Sequence, residues 1–100
     1  MARPRSELHA LLKGLEGVKD AYFQAPTTME DPCIIYERAS SRPTWADNVK
    51  YLFKKGYTVI VVDRDPDSPI PDLVEALPDC RFNRFYRTNG LNHYAFDLFF

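Results

Sequence analysis

The sequence predicts an α+β fold: a small antiparallel or mixed β-sheet of about four to five strands, with two helices packed on one face. Three observations carry this. Two short segments repeat their apolar residues with helical period, several longer ones alternate apolar and polar residues or run apolar throughout, and an Asn-Gly pair separates the last two of these. Runs of strands broken by single helices, in the order α-β-β-β-α-β-β, define the class.

The first helix is expected from about Pro4 to Leu15, because Leu8, Leu11, Leu12 and Leu15 fall at i, i+3, i+4 and i+7. Pro4 suits its first turn, and Gly14 or Gly17 ends it. "AYFQAP" reads as a brief strand stopped at Pro26. "CIIYERAS", from Cys33, is a second strand rich in β-branched and aromatic residues. "SRPTWADN" is a loop by its composition. The longest extended segment runs from Val49 to Asp63. Its first half alternates with charge and its second half is apolar on both faces, so it begins as a projecting arm over about 38–56 and ends in mid-sheet. Gly56, at the junction, marks a bulge or bend. Ile70, Leu73, Val74 and Leu77 then repeat the helical stripe. "CRFNRFYR", the turn "TNGL" and "NHYAFDLFF" form a closing hairpin.

Between the long strand and the second helix lie Asp63, Asp65 and Asp67, at alternate positions. Each has a local structural use. Asp65-Pro66 and Asp67-Ser68 supply a turn, Ser68 is placed as N-cap, Pro69 as the first helical residue, and Asp72 sits where the helix dipole favours negative charge. The alternatives fit less well. A calcium loop counted from Asp63 needs Gly and Glu where the chain has Ser68 and Val74. A two-carboxylate magnesium site wants a lysine or histidine base and a further acid, and neither is supplied in recognisable form; an enzyme using Asp63, Asp65 and His93 is the distant alternative. The expectation is a structural corner, with no metal and no cofactor.

One hundred residues, 45% hydrophobic, 14% aromatic and 27% charged, compose a single folded domain over 1–100. A domain this size buries roughly 60–65% of its unfolded surface. A net charge of −1 supplies no global attraction to nucleic acid, although Arg81, Arg84 and Arg87 cluster late in the chain. No apolar run approaches the length of a membrane span, and the helical N-terminal pattern argues against a secretory signal. Cys33 and Cys80 lack any CxxC or histidine partner spacing and are read as reduced packing residues. Either cysteine with His93 and Asp97 makes a catalytic group on paper only. Nothing around them resembles a nucleophile turn, and His93 is expected at the surface or at a sheet edge. No enzyme is indicated.

Surface aromatics are then the informative residues. Trp45, in a polar loop beside Pro43, either folds over its own core or plugs a neighbouring surface. Tyr51 and Phe53 share an arm with Lys50, Lys54 and Lys55, a mixture suited to a wet subunit interface, and Arg42 lies nearby.

The segments "RSELHALL", "AYFQAP", "PCIIYER", "WADNVKYLFKKGYTVIVVDRDPDSPIPDLVEALPDCRFNRFY" and "NGLNHYAFDLFF", in that order, span nearly the whole chain. Together they resemble the tail-terminator (tail-completion, head–tail joining) proteins of long-tailed bacteriophages. The resemblance implies a virion structural protein, assembled in the host cytoplasm, that forms a ring, usually hexameric. That ring sits on the head-proximal end of the tail tube, ends tube growth and meets the neck. The implied partners are copies of itself, the major tail tube protein and a stopper or adaptor protein; DNA passes through the lumen without sequence-specific contacts, and no membrane is involved. An adaptor, a stopper or a tube protein are the neighbouring alternatives.

Overall fold

The computed structural model describes residues 4–24, 32–38 and 56–100. Within them the order is α1 (Arg5–Lys13), β1 (Asp20–Phe23), β2 (Cys33–Arg38), β3 (Gly56–Asp63), α2 (Ile70–Glu75), β4 (Cys80–Thr88) and β5 (Leu91–Phe99). The strands form one mixed sheet in the order β1-β2-β3-β5-β4. β1 and β2 run parallel, and the remaining neighbours are antiparallel. This is the expected α+β fold.

Alternation along the strands sorts the sheet into two faces. Tyr36, Tyr57, Val59, Val61, Phe96 and Leu98 point to one of them. Leu8 and Leu12 of α1 and Ile70 and Val74 of α2 join the same cluster, so both helices pack on that face. Each fully buried side chain of this kind contributes about 1.5–3 kcal/mol. On the other face Cys33, Ile35 and Val62 are buried together, with Tyr22, Ile60 and Leu91 against them. β3 is apolar on both faces because it lies between β2 and β5, in mid-sheet.

Several boundaries differ from the sequence expectation. α1 stops at Lys13, with Gly14 in right-handed geometry; the left-handed residue that turns the chain is Gly17, at φ +92°. α2 is shorter than 69–77. Pro69 occupies the cap position, and Leu77 closes against Val74 by a backbone hydrogen bond of 3.0 Å, a tightened last turn ahead of Pro78. Gly56 opens β3, and its register with β5 runs unbroken from Gly56↔Phe99 to Asp63↔Asn92. The sheet's bulge lies instead in β4, between Phe82 and Arg84. The projecting arm before Gly56 falls outside the described residues.

Polar contacts tie α1 to the sheet. Tyr36 is fully buried, and its hydroxyl lies 2.7 Å from His9 Nδ1 while accepting from Arg5 Nη1 at 3.3 Å. The Arg5 guanidinium also sits 4.3 Å above the Phe23 ring.

Candidate subunit interface

The aspartate corner is built from backbone hydrogen bonds. The Asp65 N–H donates to Asp63 Oδ1 at 3.0 Å, and the Asp67 N–H donates to Asp65 Oδ1 at 2.9 Å. Two Asx turns thus follow in tandem. The Ser68 N–H closes on the Asp65 carbonyl at 3.3 Å, and Ser68 Oγ accepts from the Ile70 N–H at 3.2 Å. That last bond ties Ser68 to the first residue of α2, while Pro69, not Ser68 as expected, stands at the cap position. Asp63 is buried and faces Asn92 across the ladder; Asn92 Nδ2 reaches the Arg64 carbonyl at 3.5 Å. Among the described residues no three His, Cys, Asp or Glu side chains converge into a group that could hold a metal ion.

The grouping of cysteine, histidine and acid is scattered in space. His93 is buried, not at the surface, and it lies on β5 between β3 and β4, not at an edge. Long-range strand order decides this: β4 folds back beside β5 and covers it. There the His93 Nδ1–H donates to the Leu91 carbonyl at 3.2 Å, and the ring stacks on Tyr86 with centroids 4.8 Å apart. Cys80 pairs with Leu98, five residues along β5 from His93, or roughly 17 Å of strand, and packs on the helix-bearing face. Cys33 shares a row with Val62 and His93, which puts two strand spacings, about 10 Å, between Cys33 and His93. Alternation sets Asp63 and His93 on opposite faces. Neither cysteine is in a disulfide bond. Burial, reinforced by the charges of Glu75 and Asp97, pushes the Cys80 thiol from its ordinary 9.0 up to about 12. A thiol held protonated in this way is a poor nucleophile.

The interface residues read from the sequence, Arg42, Trp45, Lys50, Tyr51, Phe53, Lys54 and Lys55, all lie outside the described residues. What the structure adds is β4. It is an edge strand of nine residues, and all but Cys80 and Tyr86 are exposed. The bulge changes which way its side chains point. Without it Phe82 and Phe85 would alternate to opposite faces; with it both lie on the helix-bearing face, Phe82 edge-on to Phe96 and Phe85 tilted on Tyr94. Arg81 and Arg84 come to the other face with Asn83, whose amide donates to both carboxylate oxygens of Asp97 at 3.2 Å. Phe82 and Phe85 remain 44% and 50% exposed. The sequence signal for this surface was the run "RFNRFYR", in which arginines and aromatics interleave with no acid.

No protein-family model, curated protein or solved structure matches the chain. No helix among the described residues is long and apolar enough to cross a membrane.

Proposed function

We propose that the chain is a virion structural protein of the tail-terminator kind. Copies of it close into a ring on the head-proximal end of a phage tail tube, end the tube's growth and present a surface to the neck. The protein performs no catalysis in this role, and DNA crosses the lumen without being read.

The observation that carries the reading is the asymmetry of the sheet. One edge is the long, exposed β4 with its phenylalanines and arginines, and the other is the four-residue β1 beside α1. Two unlike ends on one small domain suit a heterologous, head-to-tail contact, which closes into rings. The order of motifs along the chain supports the same reading. So does the corner at 63–69, where the Asp63 and Asp65 carboxylates accept the backbone bonds of two turns.

Co-expression with the tail tube protein of the same phage tests it. Tubes grown with the protein should be capped at one end by a ring and stop elongating, whereas tubes grown without it should run on. Tubes of unaltered length with bare ends would contradict the reading.

A further inference from the structure

Phe82 and Phe85 are the exposed aromatic rings of the described surface, and the bulge sets them in one row with Arg87. The three stand opposite Phe96, Tyr94 and Asn92, on the helix-bearing face. Because Phe96 and Tyr94 are two residues apart on β5, the phenylalanines are held about 7 Å apart along the sheet. That is twice the ~3.4 Å rise between stacked bases, a spacing that suits neighbouring bases of an unstacked, extended strand. Along β4 the charge has one sign. From Cys80 to Phe96 the chain carries Arg81, Arg84 and Arg87 and no carboxylate, although the whole molecule has a net charge of −1. Arg81 faces Asp97 on the opposite side of the sheet, whereas Arg84 and Arg87 are exposed and in no ion pair among the described residues. Acids flank the row and do not enter it. Asp63, which opens the aspartate corner in line with Arg87, is buried two strands away, about 10 Å. Glu75 acts on Cys80, at the far end of β4 from Arg87.

We propose that this row is a sequence-tolerant binding site for single-stranded nucleic acid. Two successive bases stack on Phe82 and Phe85, and a phosphate meets the Arg87 guanidinium, the combination of ring platforms and cations that such strands need. β4 ends the sheet, so the sugar–phosphate backbone has an open side to run along. Arg84 is on the other face, where its guanidinium lies 5.0 Å from the Tyr86 ring centroid, and it does not touch the strand. The site goes beyond the ring reading and is a property of the isolated chain. Charge favours a polyanion for this row, and ring spacing favours bases over an acidic peptide. A duplex keeps its bases stacked and paired, out of reach of the rings. The α1 end of a second copy carries Arg5, Lys13 and Lys19 beside Glu7, Glu16 and Asp20, so it offers no net charge to match.

Fluorescence anisotropy at low salt, with a labelled oligothymidine of about a dozen nucleotides, tests the site. Wild type is expected to bind this strand about tenfold more tightly than a duplex of the same length. Phe82→Ala and Phe85→Ala should each weaken binding about tenfold, with circular-dichroism spectra unchanged. Phe85→Leu is the sharper variant. Leucine keeps the apolar area that a peptide would use and removes the ring face that a base needs, so it should lose nearly as much as alanine. Arg87→Gln should reduce the slope of log affinity against log salt by about 0.7, the value of one phosphate contact on a single strand. Arg84→Gln removes the same charge from the other face and should leave that slope unaltered. A wild type that leaves the oligonucleotide free at hundreds of micromolar would overturn the proposal. So would a duplex bound equally well, full binding by Phe85→Leu, or equal slope changes from the two arginine variants. Self-association of the wild type that Phe82→Ala abolishes, with no oligonucleotide bound, would put a second copy on the row and overturn it too.

Discussion

Asp63 shows what a carboxylate can do for the backbone. It is buried, and its Oδ1 holds the Asp65 N–H at the point where β3 must stop and the chain must turn. Asp63→Ala removes that acceptor and is expected to cost about 1–2 kcal/mol in urea denaturation. Asp63→Asn keeps an oxygen there and should cost less than half as much; equal losses from both would mean that charge, not hydrogen bonding, is the requirement. Millimolar calcium or magnesium should leave the melting temperature unchanged, and a rise would point to a bound ion. Cys80 makes the pH prediction. Its thiol is pushed up to about 12 from 9.0, so between those values the folded state holds a proton that the unfolded state has lost. The stabilising contribution is therefore complete below about 9 and disappears as pH rises toward about 12. The wild type should lose stability more steeply than Cys80→Ala across that window, and parallel curves would contradict the assignment. Local roles such as the Asx turns were legible in the sequence because donor and acceptor lie two residues apart. The burial of His93 was not, since it depends on which strands flank β5.

Among the elements, the closing hairpin was the most legible. Asn89 and Gly90 sit at φ +53° and +76°, the left-handed pair that a tight hairpin turn demands, and Asn-Gly announces it. Nothing lies within 4 Å of a Cβ built on Gly90, so Gly90→Ala should cost only the backbone term, about 1–2 kcal/mol, read from thermal unfolding. A neutral result would mean that the turn relaxes to another type. The bulge in β4 was illegible: "RFNRFYR" alternates no better in one register than in another, and only pairing with β5 shows Asn83 as the extra residue. That single residue decides that Phe82 and Phe85 share a face. α1 was legible from its leucines, but its polar tie to Tyr36 joins residues 27 positions apart and left no local trace. Tyr36→Phe keeps the buried ring and deletes the hydroxyl between His9 and Arg5, so a loss of about 1 kcal/mol is expected in denaturant titration; no loss would show that α1 is held by Leu8 and Leu12 alone.

For the molecule as a whole, the fold leaves its unusual chemistry at the two ends of a sheet. The described faces are used for packing, with both helices on one side and a smaller apolar cluster on the other. On the proposed reading the chain acts through what abuts it, and copies of itself and the tube are the proposed partners. The class of fold followed from hydrophobic period and the Asn-Gly turn. The strand order, in which β5 inserts between β3 and β4, came only with the structure, because pairing between distant segments has no signature in either strand. The measurement that bears most directly on the role is electron cryo-microscopy of phage particles carrying a label on this chain. A single ring of labelled copies at the junction of tail and neck, one per particle, is the predicted image. Label spread along the tube, gathered at the distal tip or missing from particles would contradict it.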